Sequence, residues 1–114
     1  MTEGMRTIIY PVTDTAQAKA VYAALLGVAP SMDEPWYVAF DVGGQHLGLD
    51  PRGHDRGMTG PVGYWHVGDI EVTLASLVAA GATLQQEVTD VGGGKLIATV
   101  KDADGNLTGL IQNP

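Results

Sequence analysis

Cysteine is absent from this chain of 114 residues, which excludes disulfides, thiolate nucleophiles and thiolate metal ligands. Long apolar runs are absent too, since none approaches the roughly 18 residues that a membrane-spanning helix needs. The first residues lack the basic segment and apolar stretch of a secretory signal. We therefore expect a cytoplasmic protein with no membrane partner, and the length favours one domain over residues 1–114.

Positive charge is scarce. Six Lys and Arg residues stand against thirteen Asp and Glu, so the formal net charge is -7. Nucleic-acid binding needs clustered basic residues, and the nearest approach to a cluster is the pair Arg52 and Arg56. We expect no nucleic-acid partner. The acidic balance favours a neutral or cationic small ligand.

What the chain does contain is an internal duplication. Each half opens with Val-x-Asp, at Val12 and at Val67, and each closes on a Gly-x-x-x-Gly-Leu frame, residues 44–49 and 105–110. The duplication predicts two similar modules, over about residues 6–50 and 62–112, with a glycine- and proline-rich linker over about 51–61. Small-molecule pockets tend to form where such repeats meet.

The periodicity of apolar residues predicts a strand and a capped helix at the start of each module, followed by antiparallel strands. For the first module it predicts a strand over 6–12, a helix from Asp14 to Gly27, a polar loop around 31–35, and strands over 36–42 and 45–49. For the second it predicts a strand over 62–67, a helix from Asp69 to Gly81, and strands over 84–88, 95–100 and 107–111. Neither module has enough apolar surface to stand alone. We expect an α+β fold in which the two modules pair as a curved mixed sheet, with helices on the convex face and a cavity on the concave face.

Three sequence strings carry a resemblance to a known family. They are Val12-Thr-Asp14 with Tyr22-x-x-Leu25-Leu26-Gly27, Val67-Gly-Asp69 with Ala79-Ala-Gly81-Ala82, and Asp102-Ala-Asp-Gly-Asn-Leu-Thr-Gly-Leu-Ile-Gln112. Over nearly its full length the chain resembles the vicinal oxygen chelate superfamily, also described as the glyoxalase, bleomycin-resistance protein and extradiol dioxygenase family. The resemblance implies paired βαβββ modules, and commonly a homodimer.

The same resemblance implies where a metal would bind. Metal-using members place a His, Glu or Gln near the centre of the first and last strand of each module. Counting along this chain puts those positions at Thr7, Gly48, Gly63 and Gly109. An error of one residue would substitute Val62 or Tyr64 for Gly63, or Leu47 or Leu49 for Gly48. Because none of these side chains is an imidazole or a carboxylate, we expect no metal and no cofactor.

Four residues are candidates for ligand binding. Trp65 is two residues after Gly63 on the same strand, so the two should share a face and Trp65 should point into the cavity. There it would either stack on an aromatic or cationic ligand or fill the space. His46 is two residues before Gly48 and should share its face of the strand, where it could carry a proton or orient a ligand. A structural role is the alternative. Trp36 and Tyr37 are adjacent, so one of the two should face inward and the other outward. His66 is at an odd offset from Gly63, so it should face the helices or an interface, in a structural role.

The leading hypothesis is a metal-free protein that binds and sequesters a small molecule, in the manner of the bleomycin-resistance members. The ligand would be apolar, aromatic or cationic. One alternative is a glyoxalase-like lyase or isomerase that uses an unorthodox metal site or none, with His46 or Tyr10 as catalytic candidates. Another is a structural module whose cavity Trp65 fills. The sequence leaves open whether the protein is an enzyme.

Overall fold

The computed structural model describes residues 2–114 as two compact units. The first unit comprises residues 6–62, and the second comprises residues 63–114 together with residues 2–5. Each unit combines one α-helix with strands of a mixed sheet, so the predicted α+β class is confirmed. No helix within residues 2–114 is long and apolar enough to cross a membrane.

The first unit is built from β1, α1 and three further strands. Their bounds are β1 Thr2–Pro11, α1 Thr15–Leu26, β2 Met32–Glu34, β3 Tyr37–Val42 and β4 Gln45–Asp50. Within this unit the strand order is β2-β3-β4-β1, with β4 parallel to β1 and the other neighbours antiparallel. The predicted loop around 31–35 was therefore wrong, because β2 pairs with β3. Its three residues are all exposed, so no apolar alternation marked it as a strand.

Helix α1 begins and ends where its capping residues predict. The Asp14 side chain accepts a hydrogen bond from the Gln17 amide at 3.0 Å, which satisfies a donor that the first turn leaves unpaired. Gly27 ends the helix in the left-handed conformation, with φ at 70°. The helix packs on a buried cluster formed by Val38, Phe40 and Leu49. We call this side of the unit's sheet the helix face, and the other side the opposite face.

The segment predicted as a linker is a folded loop attached to the end of β4. It contains a short 3-10 helix, η1, at His54–Arg56. The Asp50 carboxylate, only 9% exposed, accepts hydrogen bonds from the Arg56 guanidinium and the Arg52 amide, each at 2.8 Å. Met58 is buried. The loop thus has its own polar anchor and its own buried side chain, rather than the flexibility its glycines suggest.

The second unit repeats the order of the first. Its elements are β5 Val62–Val67, α2 Ile70–Ala79, β6 Thr83–Asp90, β7 Leu96–Lys101 and β8 Leu107–Gln112. Here the strand order is β5-β8-β7-β6, with β8 parallel to β5. Asp69 caps α2 by accepting from the Val72 amide at 3.1 Å, as predicted. Each unit therefore has the βαβββ order that the resemblance implied.

The first residues of β1 belong to the second unit. The Thr2 hydroxyl donates a hydrogen bond to the His66 carbonyl oxygen at 3.1 Å. The Met5 side chain covers Gly63, since a Cβ added at Gly63 would overlap the Met5 sulfur and lie 2.9 Å from its methyl carbon. The second unit is therefore assembled from two separate stretches of chain.

Candidate functional site

The candidate site lies on the opposite face of the first unit, away from α1. Side chains alternate along a strand, so the residues next to Val38, Phe40 and Leu49 point to that face. The β3–β4 register places Ala39 beside Gly48 and Asp41 beside His46. The same alternation brings Tyr37 and His46 to one side of the sheet.

Three of these side chains form a continuous hydrogen-bonded chain. The Tyr37 hydroxyl lies 2.9 Å from Nε2 of His46, and Nδ1 of His46 lies 2.9 Å from the Asp41 carboxylate. The other Asp41 oxygen accepts a hydrogen bond from the Ser31 hydroxyl. We call Tyr37, His46 and Asp41 the polar chain. Tyr37 and His46 are half-buried, whereas Asp41 is exposed.

The bonding partners assign the protons of the neutral imidazole. A carboxylate only accepts hydrogen bonds, so the bond to Asp41 requires a proton on Nδ1. Nε2 then carries a lone pair and accepts the proton of the Tyr37 hydroxyl. His46 is thus held by a carboxylate on one nitrogen and presents a base to a phenol on the other. Both bonds have ordinary hydrogen-bond lengths.

Gly48 is required by the position of Tyr37. A Cβ added at Gly48 would overlap the Tyr37 hydroxyl and lie 2.6 Å from its Cζ and 2.7 Å from Cδ1 of Ile9. The space left by the missing side chain is therefore filled by the protein's own phenol. Any larger residue at this position would displace the hydroxyl from His46.

A tyrosine fills the corresponding space in the second unit. Tyr64 pairs with Gly109 across β5 and β8. A Cβ added at Gly109 would overlap Cδ2 of the Tyr64 ring and lie 2.6 Å from two further ring carbons, and Tyr64 is only 6% exposed. The frame-closing glycine of each module is therefore covered by a tyrosine, which comes from β3 in one unit and from β5 in the other.

The register corrects one of the four expected metal positions. Ile9 pairs with Gly48 as Tyr64 pairs with Gly109, so the equivalent of Thr7, two residues before Ile9, is Val62. The assignment to Gly63 was wrong by one residue, as the spacing of Thr7 from Asp14 and of Val62 from Asp69 also indicates.

The residues at these positions do not fit a metal ion. Thr7, Val62, Gly48 and Gly109 offer no imidazole or carboxylate, and tyrosines occupy the space that a ligand side chain would need at both glycines. Within residues 2–114, no group of three or more His, Cys, Asp and Glu side chains is arranged to hold a metal.

Trp65 lies on the helix face of the second unit, contrary to prediction. It packs against the buried cluster of Val67, Ile70, Ala98 and Leu110. Gly63, the inward-facing reference for that prediction, itself lies on the helix face with Trp65, so the predicted direction of Trp65 was reversed. Of the two expectations for His66, that it faces the helices is wrong for the same reason, since alternation puts it on the opposite face with Tyr64.

Tyr10 also lies away from the polar chain. Its ring packs with the helix-face cluster of the first unit, 5.0 Å from the ring of Tyr22. Burial raises the pKa of Tyr22, and the proximity of Tyr10 raises it further. Tyr10 and His46 are therefore on different faces of one sheet, so they do not form a joint acid–base pair.

Of the adjacent pair Trp36 and Tyr37, it is Tyr37 that belongs to the polar chain. Tyr37 is the residue that contacts His46, whereas Trp36 precedes β3 in the turn and is 62% exposed. Sequence reasoning missed Asp41 as a site residue. A signal existed, because a two-residue turn at Gly43-Gly44 pairs Val42 with Gln45 and hence Asp41 with His46.

Comparison with known proteins places the chain in a family. The family model of the Glyoxalase/Bleomycin resistance protein/Dioxygenase superfamily matches residues 4–110. The chain therefore belongs to this superfamily. No curated protein sequence matches it.

Solved structures share the fold at low sequence identity. A superfamily member from Vibrio splendidus 12B01 is 19% identical with a TM-score of 0.72, covering 96% of this chain and 99% of its own. Methylmalonyl-CoA epimerase from Mycobacterium tuberculosis is 19% identical with a TM-score of 0.69, covering 99% and 89% respectively. The Mn(II)-bound glyoxalase from Novosphingobium aromaticivorans is 20% identical with a TM-score of 0.72, covering 97% of this chain and 39% of its own. Likeness at this level establishes the fold and leaves the activity to the residues of the site.

Proposed function

We propose that the protein binds a small molecule without a metal, at the opposite face of the first unit. One observation carries the proposal. At the last strand of each module a tyrosine stands where a metal-ligating side chain would extend, over Gly48 in one unit and over Gly109 in the other. With that arrangement the superfamily fold is kept, and the metal-ligating side chains at these two positions are absent.

The residues near the polar chain support a neutral or cationic ligand with an aromatic part. The rings of Tyr37 and His46 are half-buried and stacked, with centroids 6.1 Å apart, and such rings can stack on a flat or cationic group. Glu34 pairs with Tyr37 across β2 and β3, and Asp41 is exposed at the other end of the polar chain. Two carboxylates near a half-buried phenol and imidazole disfavour an anion, in keeping with the net charge of -7.

Metal analysis tests the metal-free part of the proposal. Purified protein should contain no stoichiometric Zn, Ni, Mn or Fe, and its melting temperature should be the same with and without chelator. A stoichiometric metal whose removal lowers the melting temperature would overturn this part.

A thermal-shift screen tests the binding part. Neutral and cationic aromatic metabolites and antibiotics should include compounds that raise the melting temperature, because binding only to the folded state stabilises it. His46→Gln should weaken such a shift. Leu25→Ala is the matched control, since Leu25 is 71% exposed on α1 of the same unit and should leave the shift unchanged. Equal loss in both variants, or no shift from any compound, would contradict binding at this face.

A further inference from the structure

We infer that the polar chain is a metal-free acyl-transfer site in which Tyr37 is the nucleophile, His46 the general base and Asp41 the group that positions the base. The inference deepens the proposed function, because it requires that a small molecule reach the same face. The substrate class is an uncharged activated ester of a small aromatic alcohol, because Asp41 and Glu34 disfavour an anion here and an aromatic alcohol can leave as its anion without a general acid.

The arrangement meets the geometric requirements for an activated nucleophile. Such a site needs a hydroxyl and a base within hydrogen-bond reach, with a third group orienting the base. Both contacts here are 2.9 Å, from the Tyr37 hydroxyl to Nε2 of His46 and from Nδ1 of His46 to Asp41. Because Asp41 holds the His46 proton on Nδ1, Nε2 is the nitrogen that can accept the proton of the Tyr37 hydroxyl.

The three residues are held by separate features of a regular hairpin. Asp41 and His46 face each other directly across β3 and β4, so their contact follows from the strand register. The Ser31 hydroxyl fixes the second Asp41 oxygen. Gly48 leaves the space into which the Tyr37 hydroxyl fits. A site built on strands holds its groups more accurately than one built on loops.

The chemical steps balance without any metal or redox partner. The Tyr37 oxygen bonds to the ester carbonyl carbon while its proton passes to Nε2 of His46, and the aromatic alcohol leaves as its anion. The released phenolate takes the proton from Nε2 of His46, and the neutral imidazole then accepts a proton from the water that attacks the acyl-tyrosine carbonyl carbon. The acid leaves, and Tyr37 recovers its proton through His46. A phenol is itself a good leaving group, which favours this second step.

Acetylation by p-nitrophenyl acetate tests the inference on the intact protein. Release of p-nitrophenolate should show a burst of one equivalent per chain. Mass spectrometry of the peptides should place the acetyl group on Tyr37 at a rate at least about tenfold above that of Tyr10, Tyr22 or Tyr64. Loss of a general base lowers the rate by about 100-fold or more, so His46→Gln should abolish the preference for Tyr37.

Controls separate a chemical role from a structural one. His54→Gln is the control, because His54 lies in η1, outside the polar chain, and its Nδ1 contacts the Met58 carbonyl oxygen. This variant should leave the acetylation rate unchanged. Asp41→Asn should slow acetylation and move the His46 proton between the ring nitrogens, which ¹⁵N NMR of the imidazole reports. Circular dichroism verifies that each variant is folded.

The outcomes distinguish this inference from the proposed function. If ligands shift the melting temperature while Tyr37 is acetylated no faster than the other tyrosines, the inference fails and the binding proposal stands. If Tyr37 is acetylated rapidly and His46→Gln has no effect, the polar chain is not the cause and the inference also fails. Rapid acetylation that depends on His46, with no ligand found in the screen, supports the inference and counts against the binding proposal.

Discussion

The tyrosine over Gly109 makes a quantitative prediction for Gly109→Ala. The new methyl group would overlap the buried Tyr64 ring, and forcing extra volume into a packed site costs about 1–3 kcal/mol. Alanine also restricts the unfolded chain, which offsets about 0.4–1 kcal/mol. The expected net loss in free energy of unfolding is about 0.5–2 kcal/mol, or a melting temperature lower by about 2–8 °C for a domain of this size.

Three other glycines provide a graded series. Gly48→Ala should cost less than Gly109→Ala, because Tyr37 is half-buried and can move outward. Gly63→Ala should cost least among the crowded positions, because it meets the flexible end of Met5, which is 39% exposed. Gly60→Ala should raise stability by about 0.4–1 kcal/mol, since a Cβ there has no atom within 4 Å.

Urea titration of all four variants, with the free energy of unfolding extrapolated to zero denaturant, measures the series. Similar changes at Gly60 and Gly109 would refute the reasoning, because they would show that the tyrosine does not occupy the space over Gly109. Gly48→Ala adds a second readout, as it should also slow the acetylation of Tyr37.

Three further predictions concern stability outside the polar chain. Asp69→Ala removes the side-chain oxygen that caps α2 and should lower the free energy of unfolding, measured by urea titration, by about 1 kcal/mol. Asp69→Asn should lower it less, because asparagine keeps a capping oxygen. Arg56→Ala leaves the Asp50 carboxylate without its cation and should cost about 1–3 kcal/mol, with part recovered by adding Asp50→Asn; no loss in the single variant would show that the loop is not anchored there. Hydrogen bonds from the Asn106 side chain and backbone lower the pKa of Asp102, so its contribution to stability is present above the ordinary carboxyl pKa of about 3.9 and is lost as the pH falls through the folded value. NMR titration of the Asp102 carboxyl should therefore give a midpoint below that of a free aspartate, and an ordinary midpoint would contradict the turn geometry.

Local sequence signals predicted most of the fold. Asp14, Gly27 and Asp69 mark helix ends because capping is a local interaction between a side chain and nearby backbone groups. Strand β2 escaped prediction because its pairing with β3, not its own composition, makes it a strand. The ordered structure of the loop after β4 was not predicted, because the Asp50–Arg56 contact spans six residues and leaves no periodic pattern in the sequence.

The sequence predicted only in part which face of the sheet each candidate residue occupies. His46 and Tyr37 were identified as candidates, and the alternation of strand residues sufficed for His46. Trp65 was placed on the wrong face because a one-residue error in the reference reverses every side chain of a strand. The filling of Gly48 by Tyr37 depends on a contact between neighbouring strands, which the order of residues in either strand does not reveal.

The membership of residues 2–5 in the second unit has a consequence for how the chain folds. Residues 2–5 are synthesised before residues 63–114, so Thr2 can bond to His66 and Met5 can cover Gly63 only after that later stretch has been made. Contacts between positions so far apart in the chain form late and slow the folding of a small domain.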